Sequence, residues 1–69
     1  MEIFTIENGE YIELCDLLKV IGACSTGGAA KIAIAEGLVK VNGAVELRKR
    51  CKIHKGQIVV YQGRVIEIQ

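Results

Sequence analysis

The sequence predicts an α+β domain in which two short helices, joined as a helix-turn-helix, pack on a small, mostly antiparallel β-sheet. Apolar residues recur at helical spacing near residue 17 and alternate with polar residues beyond residue 38. Between two alternating runs lies the pair Asn42-Gly43, the strongest short-range signal for a β-hairpin. The 69 residues are enough for one domain, which we expect to cover residues 1–69.

The N-terminal part is expected to hold one strand and one helix. Residues 2–6 alternate in the manner of a short strand, and Asn8-Gly9 ends it. A first helix of about ten residues follows, and Gly22 is placed to end it as a left-handed cap. Its apolar stripe consists of Leu14, Leu17, Leu18 and Ile21.

A second helix should follow after a short connection. Ser25 or Thr26 can cap it, because either hydroxyl can accept a hydrogen bond from a free backbone N–H of the first turn. Gly37 would end it. Its buried face is expected to carry Ala30, Ala33 and Ile34. The connection between the helices is short enough to predict a compact helix-turn-helix.

The remaining residues are expected to form β-structure. Asn42-Gly43 predicts a type I′ turn, because both central positions of that turn need a positive φ. Gly56 marks a further turn, and Gln62-Gly63 is a weaker hairpin candidate. The strands are expected at residues 39–41, 44–46, 58–61 and 65–68.

Charge is distributed unevenly along the chain. Residues 1–18 hold five acidic residues and no basic one, whereas residues 19–69 hold all nine basic residues and three acidic ones. The basic segment, by which we mean residues 48–55, carries five basic side chains, one histidine and no acidic residue. A positive field of this kind attracts polyanions such as nucleic acids, and an ordinary solvated loop is the alternative interpretation.

Composition argues against membrane and secreted classes. No apolar run is long enough to span a membrane, and the acidic N-terminal region is unlike a secretory signal. The cysteines, Cys15, Cys24 and Cys51, are odd in number and widely spaced, which favours a reducing, cytoplasmic compartment over a disulfide framework. Cys15 and Cys51 are expected to be small core residues.

Few residues in the sequence support a catalytic, cofactor or metal site. His54 is the only histidine, and no carboxylate adjoins it in the sequence to orient it. Cys51 and His54 have the spacing of half a zinc site, but a second half is missing. No glycine-rich phosphate-binding fingerprint is present. We therefore expect no catalytic residue, no cofactor, no metal ion and no small-molecule substrate.

The stretch from residue 14 to residue 60 resembles the ribosomal protein S-four-type RNA-binding domain. That family combines a leucine-rich helix ending in glycine, a second helix, the motif Gly-x-Val-x-Val-Asn-Gly and a later Gly-Asp-x-Ile-x-Val. The matching positions here are Leu14, Leu18, Gly22, Ala30, Ile34, residues 37–43 (GLVKVNG) and residues 56–60 (GQIVV). The length and the basic segment are most similar to the small stand-alone bacterial members of the family.

The resemblance implies the αL RNA-binding fold and binding to structured RNA, of the ribosomal or transfer RNA class, with no catalysis in the domain itself. Glu13 and Gly27 stand where many members have basic residues, so the helical part of the usual RNA surface has lost positive charge. We therefore expect the RNA grip to have shifted toward the second helix, the first hairpin and the basic segment. The candidate residues are Lys31, Lys40, Asn42, Arg48, Lys49, Arg50, Lys52 and Lys55.

Their residue types suggest how the grip works. Arg48 and Arg50 can hold phosphate oxygens with planar, bidentate forks, and the lysines add long-range attraction. On a regular strand the two arginines would share a face. Asn42 fits its turn better as a backbone conformation than as a base contact. With only three aromatic residues, recognition by shape of folded or double-stranded RNA is favoured over stacking on single strands.

Two other function classes stay open. A protein-interaction adaptor could dock on a ribosome-associated partner through the acidic first helix. A small enzyme or regulatory subunit could use His54 and a cysteine. DNA binding is a variant of the main hypothesis, and competition between matched RNA and DNA duplexes separates the two.

Overall fold

Seven strands and two helices make up the computed structural model, which describes residues 1–69. The elements are β1 (Glu2–Phe4), β2 (Ile12–Glu13), α1 (Leu14–Val20), α2 (Gly27–Ala35), β3 (Val39–Val41), β4 (Ala44–Val45), β5 (Lys52–Ile53), β6 (Ile58–Tyr61) and β7 (Arg64–Ile68). A five-stranded sheet has the order β1-β7-β6-β3-β4, and β2 pairs with β5 in a separate two-stranded sheet. The predicted α+β architecture is confirmed.

One hydrophobic core joins the helices to the larger sheet. The strands β3, β6 and β7 alternate between buried and more accessible residues, so each contributes one face to the core. The helices contribute Leu14, Leu17, Leu18, Ala30, Ala33 and Ile34, all of them buried. Cys15, Cys24 and Cys51 are buried and free, which places Cys15 and Cys51 in the core as expected.

Helix α1 is shorter than the ten residues expected from its apolar stripe. It covers seven residues, because Glu13 belongs to β2 and Ile21 already forms the C-terminal cap. Gly22 follows with a φ of 76°, the left-handed conformation predicted for it. The chain then turns back over the helix end, where the Cys24 N–H donates to the Leu18 carbonyl at 3.1 Å.

Helix α2 is capped by one of the two residues predicted for this role. The Ala29 N–H donates to the Thr26 hydroxyl oxygen at 3.0 Å, so Thr26 rather than Ser25 caps the helix. The buried face consists of Ala30, Ala33 and Ile34, as predicted.

Both predicted hairpins form, and both use the same turn conformation. Asn42 and Gln62 have φ values of 50°, and each is followed by a glycine with positive φ. The Asn42 side chain has a second role, because its Oδ1 accepts a hydrogen bond from the Ile58 N–H at 2.8 Å. The first hairpin is thereby tied to the neighbouring strand, β6. Gln62 makes no comparable hydrogen bond.

The N-terminal strand differs from its prediction in length and in pairing. It ends at Phe4 rather than at residue 6, and it pairs in parallel with β7 at the edge of the sheet. Arg64 of β7 fastens this edge, since its Nε donates to Glu2 Oε2 at 2.8 Å and its Nη2 donates to the Ile21 carbonyl at 2.9 Å. The neighbouring guanidinium lowers the pKa of Glu2. One side chain thus joins β1, β7 and the end of α1.

The two-stranded sheet of β2 and β5 is not predicted by the sequence. Each strand has only two residues, too few for an alternating pattern to be recognised. Neither helix has the length and apolar composition of a membrane span.

The two hairpin turns should respond in opposite ways to mutation. Gln62→Asn is expected to raise the free energy of unfolding by about 0.5 kcal/mol, because asparagine tolerates a positive φ better than glutamine. Asn42→Ala is expected to lower it by about 2 kcal/mol, because the backbone becomes strained and the hydrogen bond to Ile58 is lost. Urea unfolding of the three proteins measures both effects. Destabilisation by Gln62→Asn would contradict the turn assignment.

Candidate nucleic-acid interface

The basic segment is held in place by the start of helix α1. Glu13 gives the helix no side-chain cap, so the first N–H groups of the helix need other partners. The Leu14 N–H donates to the Cys51 carbonyl at 2.9 Å, and the Cys15 N–H donates to the Lys49 carbonyl at 3.1 Å. The backbone of the basic segment thus takes the place of the cap, and the segment is fixed against the helix.

Strand pairing continues this attachment toward the C-terminal end of the segment. Ile12 lies opposite Ile53, and Glu13 lies opposite Lys52. The Ile53 side chain is fully buried in the core. Because neighbouring side chains of a strand point to opposite faces, the exposed Lys52 side chain points away from the core.

Around this anchored backbone the molecule has one surface depression, with a volume of about 530 Å³. It is lined by Arg48, Arg50, Cys51, Lys52 and His54. Arg48 and Arg50 reach this depression from a turn, since residues 48–51 belong to no strand. Three of the eight candidate residues therefore meet at one place, although the strand geometry considered for the two arginines does not occur.

Arg48 is already engaged by a carboxylate that sequence reasoning did not single out. Its backbone N–H and Nε donate to Glu46 Oε2 at 2.9 and 3.0 Å, and its Nη2 donates to Glu46 Oε1 at 3.0 Å. These hydrogen bonds lower the pKa of Glu46 to about 2. The only available signal was position, because Glu46 lies two residues before Arg48, where the basic segment begins.

Cys51 completes this cluster from the buried side. Its thiol lies 3.5 Å from Glu46 Oε1 and 3.6 Å from Arg48 Nη2. Burial, reinforced by the Glu46 charge, raises the pKa of Cys51. The thiol is thus kept in its neutral form, and Cys51 acts as packing for the ion pair. No group of three or more potential metal-ligating side chains surrounds it.

Arg50 is the freer of the two arginines. Its Nε lies 3.9 Å from Glu13 Oε1, beyond hydrogen-bond distance, and 71% of its side chain is exposed. A surface ion pair of this length contributes little to stability. The fork of Arg50 is therefore available to an external anion, whereas two of the three nitrogens of the Arg48 fork are occupied.

The remaining candidates lie outside the depression. Lys40 is exposed on β3, between Val45 and Val60 of the neighbouring strands. Lys31 lies half-buried on α2. The Asn42 side chain is occupied by its bond to the β6 backbone, which favours the conformational role over a base contact. Their contact with RNA stays a prediction.

Two further lysines flank the depression along the chain. Lys49 is exposed in the turn between the two arginines. Lys55 donates from its Nζ to Asn8 Oδ1 at 2.8 Å, so it joins the turn after β5 to the turn after β1. Its charge stays at the surface, but its position is set by an internal hydrogen bond.

An aromatic residue that sequence patterns did not select supports the depression from outside. The Tyr11 ring lies 4.9 Å from the Lys52 ammonium and 5.9 Å, between ring centroids, from the His54 imidazole. Tyr11 is 45% exposed. The ring therefore contacts two of the residues that line the depression.

Fold and surface together define a small helix-turn-helix domain on a mostly antiparallel sheet, with a basic loop fastened to its first helix. Comparison with solved structures finds the same architecture in YbcJ of E. coli, whose solution structure is described as revealing an αL motif involved in RNA binding. The TM-score is 0.74 at 53% sequence identity, over 99% of this chain and 86% of that one.

The sequence pattern of the S4 domain matches residues 4–69, and the chain belongs to the S4 domain family. Among curated proteins, the "Putative RNA-binding protein YbcJ" of Escherichia coli (strain K12) is 53% identical over 68 residues, which cover 99% of this chain and 97% of the relative. The YbcJ protein of Shigella flexneri matches to the same extent. The predicted resemblance, including the similarity to small stand-alone members, is confirmed.

The Glu46 cluster should give the domain a characteristic response to acid. A carboxyl group whose pKa is lower in the folded protein than in the unfolded chain stabilises the fold above its unfolded pKa, and this contribution is lost as pH falls through the folded pKa. For Glu46 this window runs from 4.5 down to about 2. The native protein should therefore have a higher free energy of unfolding than Glu46→Gln, and the difference should be larger at pH 6 than at pH 2.

Urea unfolding of both proteins at the two pH values measures this difference. Glu10→Gln is the matched control, since the Glu10 side chain is exposed and takes part in none of the ion pairs of the structure. An equal difference between native protein and Glu46→Gln at both pH values would contradict the role assigned to Arg48.

Proposed function

We propose that the protein binds structured RNA, of the ribosomal or transfer RNA class, by gripping the phosphate backbone with its basic segment. The observation that carries this proposal is the fixed position of the segment, whose carbonyls satisfy the start of α1 while Arg50 and Lys52 point outward. Membership of the S4 domain family and the RNA-binding description of the E. coli relative support it. Free cysteines fit the reducing cytoplasm as its location.

The proposed grip combines cations that line the depression with cations that lie outside it. Arg50 and Lys52 are attached to backbone that is paired with β2 or close to the start of α1, so little conformational entropy is lost when they meet a phosphate. Lys49 and Lys40 are also attached to hydrogen-bonded backbone, and their exposed side chains, which have no ion-pair partner, add long-range attraction. No catalytic role is assigned to any of these residues.

The acidic first helix offers less to an adaptor function than its composition indicated. Glu13 lies beside Arg50 and opposite Lys52, so its charge is balanced within the molecule. Asp16 is the one acidic residue within α1 itself. We therefore place the RNA grip first and treat a protein partner as an outcome to be distinguished experimentally.

Binding to a structured RNA across a salt series tests the grip. The slope of the logarithm of affinity against the logarithm of salt concentration should correspond to about 3–5 phosphates. Arg50→Ala should reduce this slope by about one, and Arg50→Ala combined with Lys52→Ala by about two, because each removed cation releases one phosphate contact.

Lys19→Ala is the matched control. It removes one positive charge from the last turn of α1, at the opposite end of the helix from the basic segment. Its slope should equal that of the native protein. Undetectable binding at low salt, or equal slopes for Arg50→Ala and Lys19→Ala, would refute the proposed site. Partner capture that survives nuclease and high salt would support the adaptor function instead.

Glu46→Gln should separate stability from binding. Loss of the carboxylate charge weakens the Arg48 cluster and lowers the free energy of unfolding, as described above. The same change frees the Arg48 fork and removes a negative charge beside the depression, so RNA affinity at low salt should rise about two- to fivefold. The gain should shrink as salt is added. Fluorescence anisotropy with a labelled structured RNA measures it, and an unchanged or lower affinity would contradict the prediction.

A further inference from the structure

The depression contains a feature that a grip on phosphates alone does not require. Cations and an aromatic ring meet there, because two guanidinium groups and an ammonium group line the depression together with the His54 imidazole. The cations are the groups that bind phosphate oxygens. A flat ring at the same place offers a stacking surface of the kind that nucleobases use.

The His54 ring is supported on the side of the protein. Its backbone N–H donates to Gln57 Oε1 at 2.7 Å, which fixes the chain at that point. Its imidazole lies against the Tyr11 ring, with the ring planes inclined by 47°. Tyr11 in turn lies under the Lys52 ammonium. Tyr11 thus acts as a positioning residue for both a ring and a cation of the depression.

The dimensions suit a single nucleotide. A volume of about 530 Å³ lies within the range of roughly 300–1,000 Å³ typical of sites for small organic molecules. A nucleobase inside a duplex is stacked and paired, so its face cannot reach such a site. An unpaired base at a bulge, loop or junction can leave the stack and present its face.

We propose that the depression binds one unpaired nucleotide of a structured RNA, with the base stacked on the His54 imidazole and its phosphate held by Arg50 and Lys52. This inference rests on the proposed function and narrows its substrate to folded RNA that carries an unpaired nucleotide next to a helix. The low aromatic content of the chain is compatible with it, because one ring pair serves one base.

Three RNA hairpins, each closed by a non-nucleotide linker in place of a loop of unpaired nucleotides, test the inference. The first is fully paired, the second carries a single bulged adenosine, and the third carries an abasic residue at the bulge. The native protein should bind the adenosine bulge about tenfold more tightly than the other two, the effect expected for one stacked base. The abasic hairpin separates the base from the bend, because it keeps the phosphate and the bulge geometry.

Protein variants assign the preference to the ring. His54→Ala should abolish the preference for the bulged adenosine, and His54→Phe should retain it, because phenylalanine offers a ring without a charge. Tyr11→Ala should weaken the preference, and Tyr11→Phe should retain it. If His54 acted through its charge instead, His54→Phe would lose the preference for the bulged adenosine. Both substituted residues, His54 and Tyr11, are exposed, and circular dichroism confirms that each of the four variants is folded.

Equal binding of the three hairpins by the native protein would overturn the inference, as would a preference that His54→Ala leaves intact. Either result is distinguishable from failure of the phosphate grip. Binding of the fully paired hairpin would still depend on Arg50 in the salt series, whereas failure of the grip removes that dependence as well.

Discussion

The unsatisfied N–H groups at the start of α1 are the constraint on which the candidate interface depends. Leu14 and Cys15 find their acceptors in the carbonyls of Cys51 and Lys49 rather than in a side-chain cap. A serine or aspartate at position 13 could accept from the Cys15 N–H and so replace one of these two bonds, but the Leu14 N–H would still need the Cys51 carbonyl. The hydrogen bonds fix the segment, Ile53 enters the core, and the charged side chains between them are directed to solvent. Helix start and nucleic-acid surface are therefore one structural unit.

Acidic residues within this surface have a structural task. Glu46 orients the Arg48 guanidinium and is bonded to it through both carboxylate oxygens, which stabilises an otherwise irregular turn. Glu13 balances Arg50 more loosely. The surface thus combines one arginine that is committed to the fold with one that is available to a ligand. The carboxylates that order the segment also offset part of its positive charge, which weakens its attraction for a polyanion.

Sequence patterns predicted the elements whose signals are local. The cap of α2 at Ser25 or Thr26, the buried face of α2 and the turn at Asn42 each follow from a few residues close together in the sequence, and the structure selects Thr26 as the cap. The pairing of β2 with β5 could not be predicted, because two-residue strands show no period and are defined only by distant partners, Ile53 for Ile12 and Lys52 for Glu13. The ion pair of Glu46 with Arg48 depends on a turn conformation, and the contact of Tyr11 with His54 depends on the fold of distant segments. The candidate site was thus predicted as a set of charges, but not as an arrangement.

The parallel pairing of β1 with β7 determines when the domain can form. Glu2 lies opposite Ile66, and Arg64 donates hydrogen bonds to both Glu2 and the end of α1. Strand β1 can therefore pair only after β7 has been synthesised. Contacts between such distant positions slow folding, because the chain must be closed before they contribute. On a translating ribosome the helices and the first hairpin can emerge early, but the sheet is completed only after residue 68 has left the exit tunnel. During synthesis the basic segment precedes the strand β7 that closes the sheet, so a nascent chain exposes these cations while the sheet is still incomplete.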